Sequence, residues 1–240
     1  MELMLADKYK ALLDRFVRDL KGVYPDGLVS VILYGSASSG EFMDKHSNIN
    51  LLVVLTDTTL KNLKKASPLI NNVRFGIINP LFFTESYIAK SLDVFPIEFL
   101  DMKESYAVLY GKDCLKDLIV DPKNLRFQCE QELKSKLINI KKSYLKINNK
   151  NELKNTLFKA STSVMHILKN LLRLKLKAPA YLKEDCLDQV SKEFNRELSG
   201  LKRALEAKKK NLKFSYAEID SLFSDFVEDL ENMVSVVDEL

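Results

Sequence analysis

The chain has 240 residues and a formal net charge of +4, with 46% hydrophobic and 29% charged residues. That length supports one large domain or two small ones with a substantial core, which excludes a short disulfide-stapled scaffold. With no run of 18 uncharged apolar residues, neither a membrane span nor wholesale disorder is expected, and the acids and bases mixed into MELMLADKYKALLDRF fit neither a signal peptide nor a transit peptide, which points to the cytoplasm.

Leu5, Tyr9, Leu12, Leu13, Phe16, Val17 and Leu20 recur at spacings of three and four, which predicts an amphipathic helix ending before Gly22 and Pro25. Residues 28–34 (LVSVILY) and 49–55 (INLLVVL) are short, β-branched apolar runs bounded by turn residues. Such runs fit central strands covered on both faces. Further strands are expected over 73–78 and 97–102, with a short helix from Thr84 to Leu92 between them.

Turn-makers become scarce after Pro122: residues 123–240 hold only Gly200 and Pro179. Asp121 as N-cap and Pro122 at the first helical position open a long apolar periodicity from Leu125 through Cys129, Leu133, Leu137, Ile140 and Tyr144 to Ile147. Asn148, Asn149 and Asn151 interrupt it, and Leu153 to Leu171 resume it in a second helix that returns antiparallel and ends before Pro179. A third helix is marked by Leu187, Val190 and Phe194, and a fourth by Leu198, Leu201 and Leu205. The capping box Ser215-Tyr216-Ala217-Glu218 opens a fifth. The expected layout is therefore an α/β part over 1–121, then an all-α antiparallel bundle over 122–240.

Charge is distributed unevenly over the second part. Residues 123–213 carry 23 bases against 9 acids, whereas 214–240 carry 8 acids and no base. The last helix is thus expected to lie against the basic ones, and any basic surplus facing a cleft would favour an anionic ligand. Lys208-Lys209-Lys210 complements a helix C-terminus, and without interleaved aromatics it gives no nucleic-acid signature. Cys114, Cys129 and Cys186 read as reduced, mostly buried thiols, because neither they nor His46 and His166 have metal-ligand spacing. His166 and the neighbouring Met165 read as packing residues on an apolar helix.

The chemistry-bearing segment lies between the first two strands. Gly35-Ser36 follows a strand and precedes a helical stretch, an arrangement that aims backbone N–H groups and the Ser36 hydroxyl at a phosphate. Twelve residues after Ser36, Asn48-Ile49-Asn50 enters the next apolar strand. Together YGSASSGEFMDKHSNINLLVVL resembles the signature of the DNA polymerase β type nucleotidyltransferase superfamily: a Gly-Ser turn, ten or eleven residues, then Asp-x-Asp entering a strand. Gly35, Ser36, Gly40, Ser47, Ile49 and Leu51 to Leu55 fit that pattern. PIEFLDMKESYAVLYGKD, residues 96–113, resembles a later stretch of bacterial members in which a strand supplies a third carboxylate, with Glu98 at the matching position. The resemblance implies an α/β nucleotidyltransferase domain with a mixed central sheet, followed by a helical bundle that helps to form the acceptor site.

It also implies a mechanism. Two aspartates at i and i+2 on one strand face, with a carboxylate from a neighbouring strand, hold a pair of Mg²⁺ ions that position a nucleotide triphosphate for in-line nucleotidyl transfer. Here the triad positions are Asn48, Asn50 and Glu98, so two of the three carry no charge. Asp44 is the best replacement carboxylate, ahead of Glu41; Asp101, three residues after Glu98, would project to the opposite face of a strand. Lys45 and His46 flank the site and read as exposed loop residues. Alternatively, Asn48 and Asn50 simply cap the strand and bond neighbouring loops, with no ligand at all.

The leading expectation is a degenerate nucleotidyltransferase, inactive or very weak, that retains binding of a nucleotide or other anionic small molecule through Gly35 and Ser36. Mg²⁺ would be its cofactor only if activity survives. One alternative is an active enzyme moving an NMP group from an NTP to a hydroxyl, with metal on Glu98 and Asp44. Another is an interaction protein acting through its bundle. Polycationic drug acceptors suit so basic a bundle poorly.

Overall fold

The computed structural model describes residues 5–39, 42, 48–72, 75–176 and 183–240. It separates into two compact units, Met1–Val120 and Asp121–Leu240.

The first unit is a sheet flanked by helices. In chain order it runs α1 (Asp7–Val23), β1 (Leu28–Tyr34), α2 (Ser36–Ser39), β2 (Ile49–Leu55), α3 (Leu60–Leu63), a 3₁₀ turn (Lys64–Ala66), α4 (Ser67–Ile70), β3 (Ile78–Phe83), α5 (Glu85–Lys90), α6 (Pro96–Glu104) and β4 (Tyr106–Gly111). The strands lie in the order β3-β2-β1-β4, with β1 antiparallel to β2 and β4, and β2 parallel to β3. The sheet is mixed, and its two centre strands are the two apolar runs. Side chains alternate along each strand, so odd and even positions enter different cores. Leu51, Val53 and Leu55 pack with Leu13, Phe16 and Leu20 of α1, whereas Leu52 and Val54 pack with Ile88 of α5 and with Phe99 and Met102 of α6.

Two strand expectations fail. The third strand lies at Ile78–Phe83 rather than over 73–78; Phe75 precedes it in a turn, and Val73 and Arg74 lie outside the described residues. Asn79-Pro80 masks the true strand, because proline lacks a ladder donor. Proline is tolerated here because β3 is an edge strand. The span 97–102 is helix α6 instead of a strand, opened by Pro96 in its first turn, and the strand follows at Tyr106. A short apolar run does not distinguish a buried strand from a buried helix.

The second unit is all helix: α7 (Pro122–Tyr144), α8 (Lys150–Lys175), α9 (Lys183–Phe194), α10 (Ser199–Lys209) and α11 (Tyr216–Asp238). Asp121 caps α7 through the Lys123 N–H, Asn149 caps α8, and Ser215 and Glu218 form the reciprocal capping box of α11. Lys134 pairs with Asp238, Lys141 with Glu231 and the Tyr144 hydroxyl with Asp220, so α7 and α11 run antiparallel. Leu201 with Asp229 and Arg203 with Asp225 give the same sense to α10 and α11. The acidic helix α11 thus lies against basic α7 and α10. Its exposed ion pairs are each worth about 0–1 kcal/mol; its stronger hold is Phe223, Phe226, Leu230 and Met233, all buried. Cys129 and Cys186 are buried free thiols, and Cys114 is half-buried. Among the described residues no helix is long and apolar enough to cross a membrane.

Candidate functional site

β1 ends at Tyr34, and Gly35 turns the chain with φ of +76°, a left-handed conformation that favours glycine. The turn is tied down internally. The Gly35 N–H donates to Ser105 O at 3.3 Å, and the Ser38 and Ser39 N–H groups both donate to Gly35 O. The Ser38 hydroxyl lies 2.7 Å from Gly35 O and 2.6 Å from Ser105 O, with the Ser105 hydroxyl 3.1 Å away. One hydroxyl proton serves one of these carbonyls at a time, while Ser105 Oγ–H can donate to Ser38. Ser36 and Ala37 occupy the first-turn positions whose N–H groups a helix leaves unpaired. Of the two, Ser36 is partly exposed and Ala37 is buried in the core on the α1 side.

Beside this turn lies a row of polar side chains on one face of the sheet. Tyr34 is registered with Asn50 on β2 and with Tyr106 on β4, and Asn50 is registered with Asn79 on β3. This is the face of Ile32, Leu52 and Val54, over which α5 and α6 pack. The Asn79 Nδ2 donates to Asn50 Oδ1 at 3.3 Å. A Cβ built on Gly35 would lie 3.4 Å from Asn50 Nδ2, so glycine brings the turn directly against the amide. Burial holds the Tyr34 hydroxyl above its ordinary pKa; burial likewise raises Tyr106, whose hydroxyl also donates to Asp113 at 3.0 Å.

The structure brings Gly35, Ser36 and Asn50 to one end of the sheet, with Asn48 two residues earlier on the Asn50 face and exposed. Glu98 is placed otherwise. It stands on an exposed position in the first turn of α6, and Asp101, three residues on, shares its side of the helix instead of opposing it. The neighbouring-strand position opposite Asn50 belongs to Asn79. From the segment 96–113 it is Ser105, at the α6–β4 junction, that touches the Gly-Ser turn. Asn79 and Ser105 were not singled out in the sequence; the available signal was a polar residue entering an apolar run after the second strand. Gly40, Glu41, Asp44, Lys45, His46 and Ser47 lie outside the described residues.

The donors described at this end of the sheet are neutral amides. Asn48, Asn50 and Asn79 contribute no charge, and the Asn50 oxygen already accepts the Asn79 amide. Mg²⁺ sites rely on one or two carboxylates plus substrate phosphates. Among the described residues no group of three or more His, Cys, Asp or Glu side chains gathers at a position able to hold a metal.

No family model matches the chain, and no curated protein matches it in sequence. Its fold is similar to that in the crystal structure of spectinomycin adenyltransferase AAD(9) from Enterococcus faecialis with ATP and spectinomycin. The TM-score is 0.56 at 12% identity, over 92% of this chain and 99% of that one. A mixed four-stranded sheet followed by a helical region gives this chain a nucleotidyltransferase-like fold.

Proposed function

We propose that this chain is a nucleotidyltransferase-fold protein that binds a nucleotide or related phosphate-bearing small molecule in the cytoplasm and does not catalyse metal-dependent nucleotidyl transfer. The observation that carries this reading is the Asn79–Asn50 amide pair: the two facing side chains beside the Gly35 turn bond to each other and carry no charge. Losing a partner of a metal ligand alone costs about 10 to 100-fold in affinity or activity. Losing charged ligands themselves removes more. The Gly35-Ser36 turn keeps the form of a phosphate cradle, and the similar adenyltransferase was solved with ATP, which makes adenine nucleotides the first ligands to test.

Calorimetric titration of ATP with and without Mg²⁺ tests the proposal. The native chain is expected to bind with an affinity that Mg²⁺ does not improve, and Asn48→Asp/Asn50→Asp/Asn79→Asp is expected to acquire metal-dependent binding. Transfer of label from an NTP by the native chain with Mg²⁺ or Mn²⁺ would overturn it.

A further inference from the structure

Two groups of cations in the bundle differ in their partners. Arg126, Lys134, Lys141, Lys202, Arg203 and Lys210 each pair with a carboxylate. Lys136 of α7, Lys159 of α8 and Lys208 of α10 converge instead on one groove of about 720 Å³, also lined by Glu132, Thr162 and His166. Among the described residues no carboxylate pairs with Lys136 or Lys159. The Lys208 ammonium donates to neutral acceptors, Thr162 Oγ1 at 2.7 Å and Phe158 O at 3.2 Å. Glu132 accepts a 3.0 Å bond from the Gln128 amide.

The contrast within single helices is informative. On α7, Lys134 and Lys141 are neutralised by α11 while Lys136 between them faces the groove. On α10, the Lys208 side chain is anchored across α8 rather than left to sweep through solvent, so part of its ordering cost is met before any ligand arrives. Three ammonium groups and one carboxylate leave a local surplus of two positive charges. Like charges in one groove raise its potential and concentrate anions there. Among the described residues no Phe, Tyr or Trp lines the groove, His166 being its one ring, and the Thr162 and Ser163 hydroxyls suit phosphoryl oxygens.

We propose that this groove between α7, α8 and α10 is a binding site for a small, compact polyphosphate, recognised by charge and hydroxyl bonds without contact to a base. The site lies wholly in the helical unit and is independent of the reading given to Gly35 and Asn50. Its occupant is a free polyanion rather than a nucleic acid.

The test is calorimetric titration of the full chain with sodium tripolyphosphate at low and at high salt. One-to-one binding that weakens steeply with salt is expected, with a loss of at least about tenfold in Lys136→Glu/Lys159→Glu. Lys123→Glu/Lys146→Glu changes net charge equally at exposed positions outside the groove and is expected to bind as the native chain does. Circular dichroism melts of both variants establish that they are folded. Equal loss in the two variants would assign the effect to overall charge and overturn the proposal, as would absence of binding to the native chain at low salt. Tighter binding of single-stranded RNA than of tripolyphosphate, lost in the same groove variant, would overturn the small-anion assignment. Tripolyphosphate binding kept in full by Lys136→Glu/Lys159→Glu would place the anion elsewhere and overturn the proposal.

Discussion

Asp229, in the middle of α11, accepts the backbone N–H of Leu201 across 2.8 Å, so the first turn of α10 is capped by a carboxylate from another helix. The carboxylate is buried. Burial raises its pKa to about 6 against the opposing pull of the Leu201 and Gly200 N–H bonds, and the nearby charges of Asp225 and Glu228 push the same way.

This sets the sign of a pH dependence. Between about pH 4 and 6 the native Asp229 holds a proton that the unfolded carboxyl, near 3.8, has released. Stability from this group is therefore greatest below pH 4 and falls as pH rises through 6, by an amount on the order of 2–3 kcal/mol. Urea denaturation at pH 4.5, 5.5 and 7.5 should show the native chain losing stability relative to Asp229→Asn as pH rises. A constant difference would contradict the buried placement.

Gly200 and Gly22 should respond oppositely to alanine. A Cβ at Gly200 would lie 2.4 Å from Asp225 C and 2.5 Å from Phe226 N, backbone atoms that cannot step aside. Gly200→Ala should lower stability by about 2–3 kcal/mol or more by forcing α10 from α11. Gly22, in the last turn of α1, has nothing within 4 Å of its added Cβ. Gly22→Ala should stabilise by about 0.5 kcal/mol. Thermal melts of both variants check the pair.

Ser38 joins the Gly35 turn to the α6–β4 junction through Ser105. Ser38→Ala should cost about 0.5–1.5 kcal/mol, the net worth of one hydrogen bond, because Gly35 O and Ser105 O keep their backbone N–H donors. Amide exchange should accelerate at residues 35–39 and 105–106 together, with little change in the bundle.

Asn50→Asp/Asn79→Asp would set two carboxylates against each other where the amides now bond. Facing like charges raise one carboxyl pKa and destabilise the fold at neutral pH by about 1–3 kcal/mol. Millimolar Mg²⁺ should return the melting temperature of this variant toward that of the native chain, whose own melt should not move. No response of the variant to Mg²⁺ would show that these two positions cannot rebuild a metal site.

Much of this architecture was legible from residue order. The runs at 28–34 and 49–55 are β-branched and flanked by turns, and both became centre strands. The first and last bundle helices announced themselves through Asp121-Pro122 and Ser215…Glu218, because capping chemistry is local, and the three between them through apolar spacing. What stayed hidden depends on partners distant in sequence. Ile78–Phe83 carries a proline that only an edge position excuses, and residue order does not say which strand will be an edge. Ile97, Phe99 and Met102 are apolar enough for either a strand or a helix, and the sheet they cover decides between the two. Asn79 becomes a site residue only through its register with Asn50, a pairing of residues 29 positions apart.

The segregation of acids onto α11 has a consequence during synthesis. The ribosome delivers α7 to α10 before α11, so Lys134, Lys141 and Arg203 emerge without their counter-charges and the apolar faces of α8 and α10 without Phe223 and Phe226. The pairing of α7 with α8 does not depend on α11, but the part of the core closed by Phe223 and Phe226 waits for it.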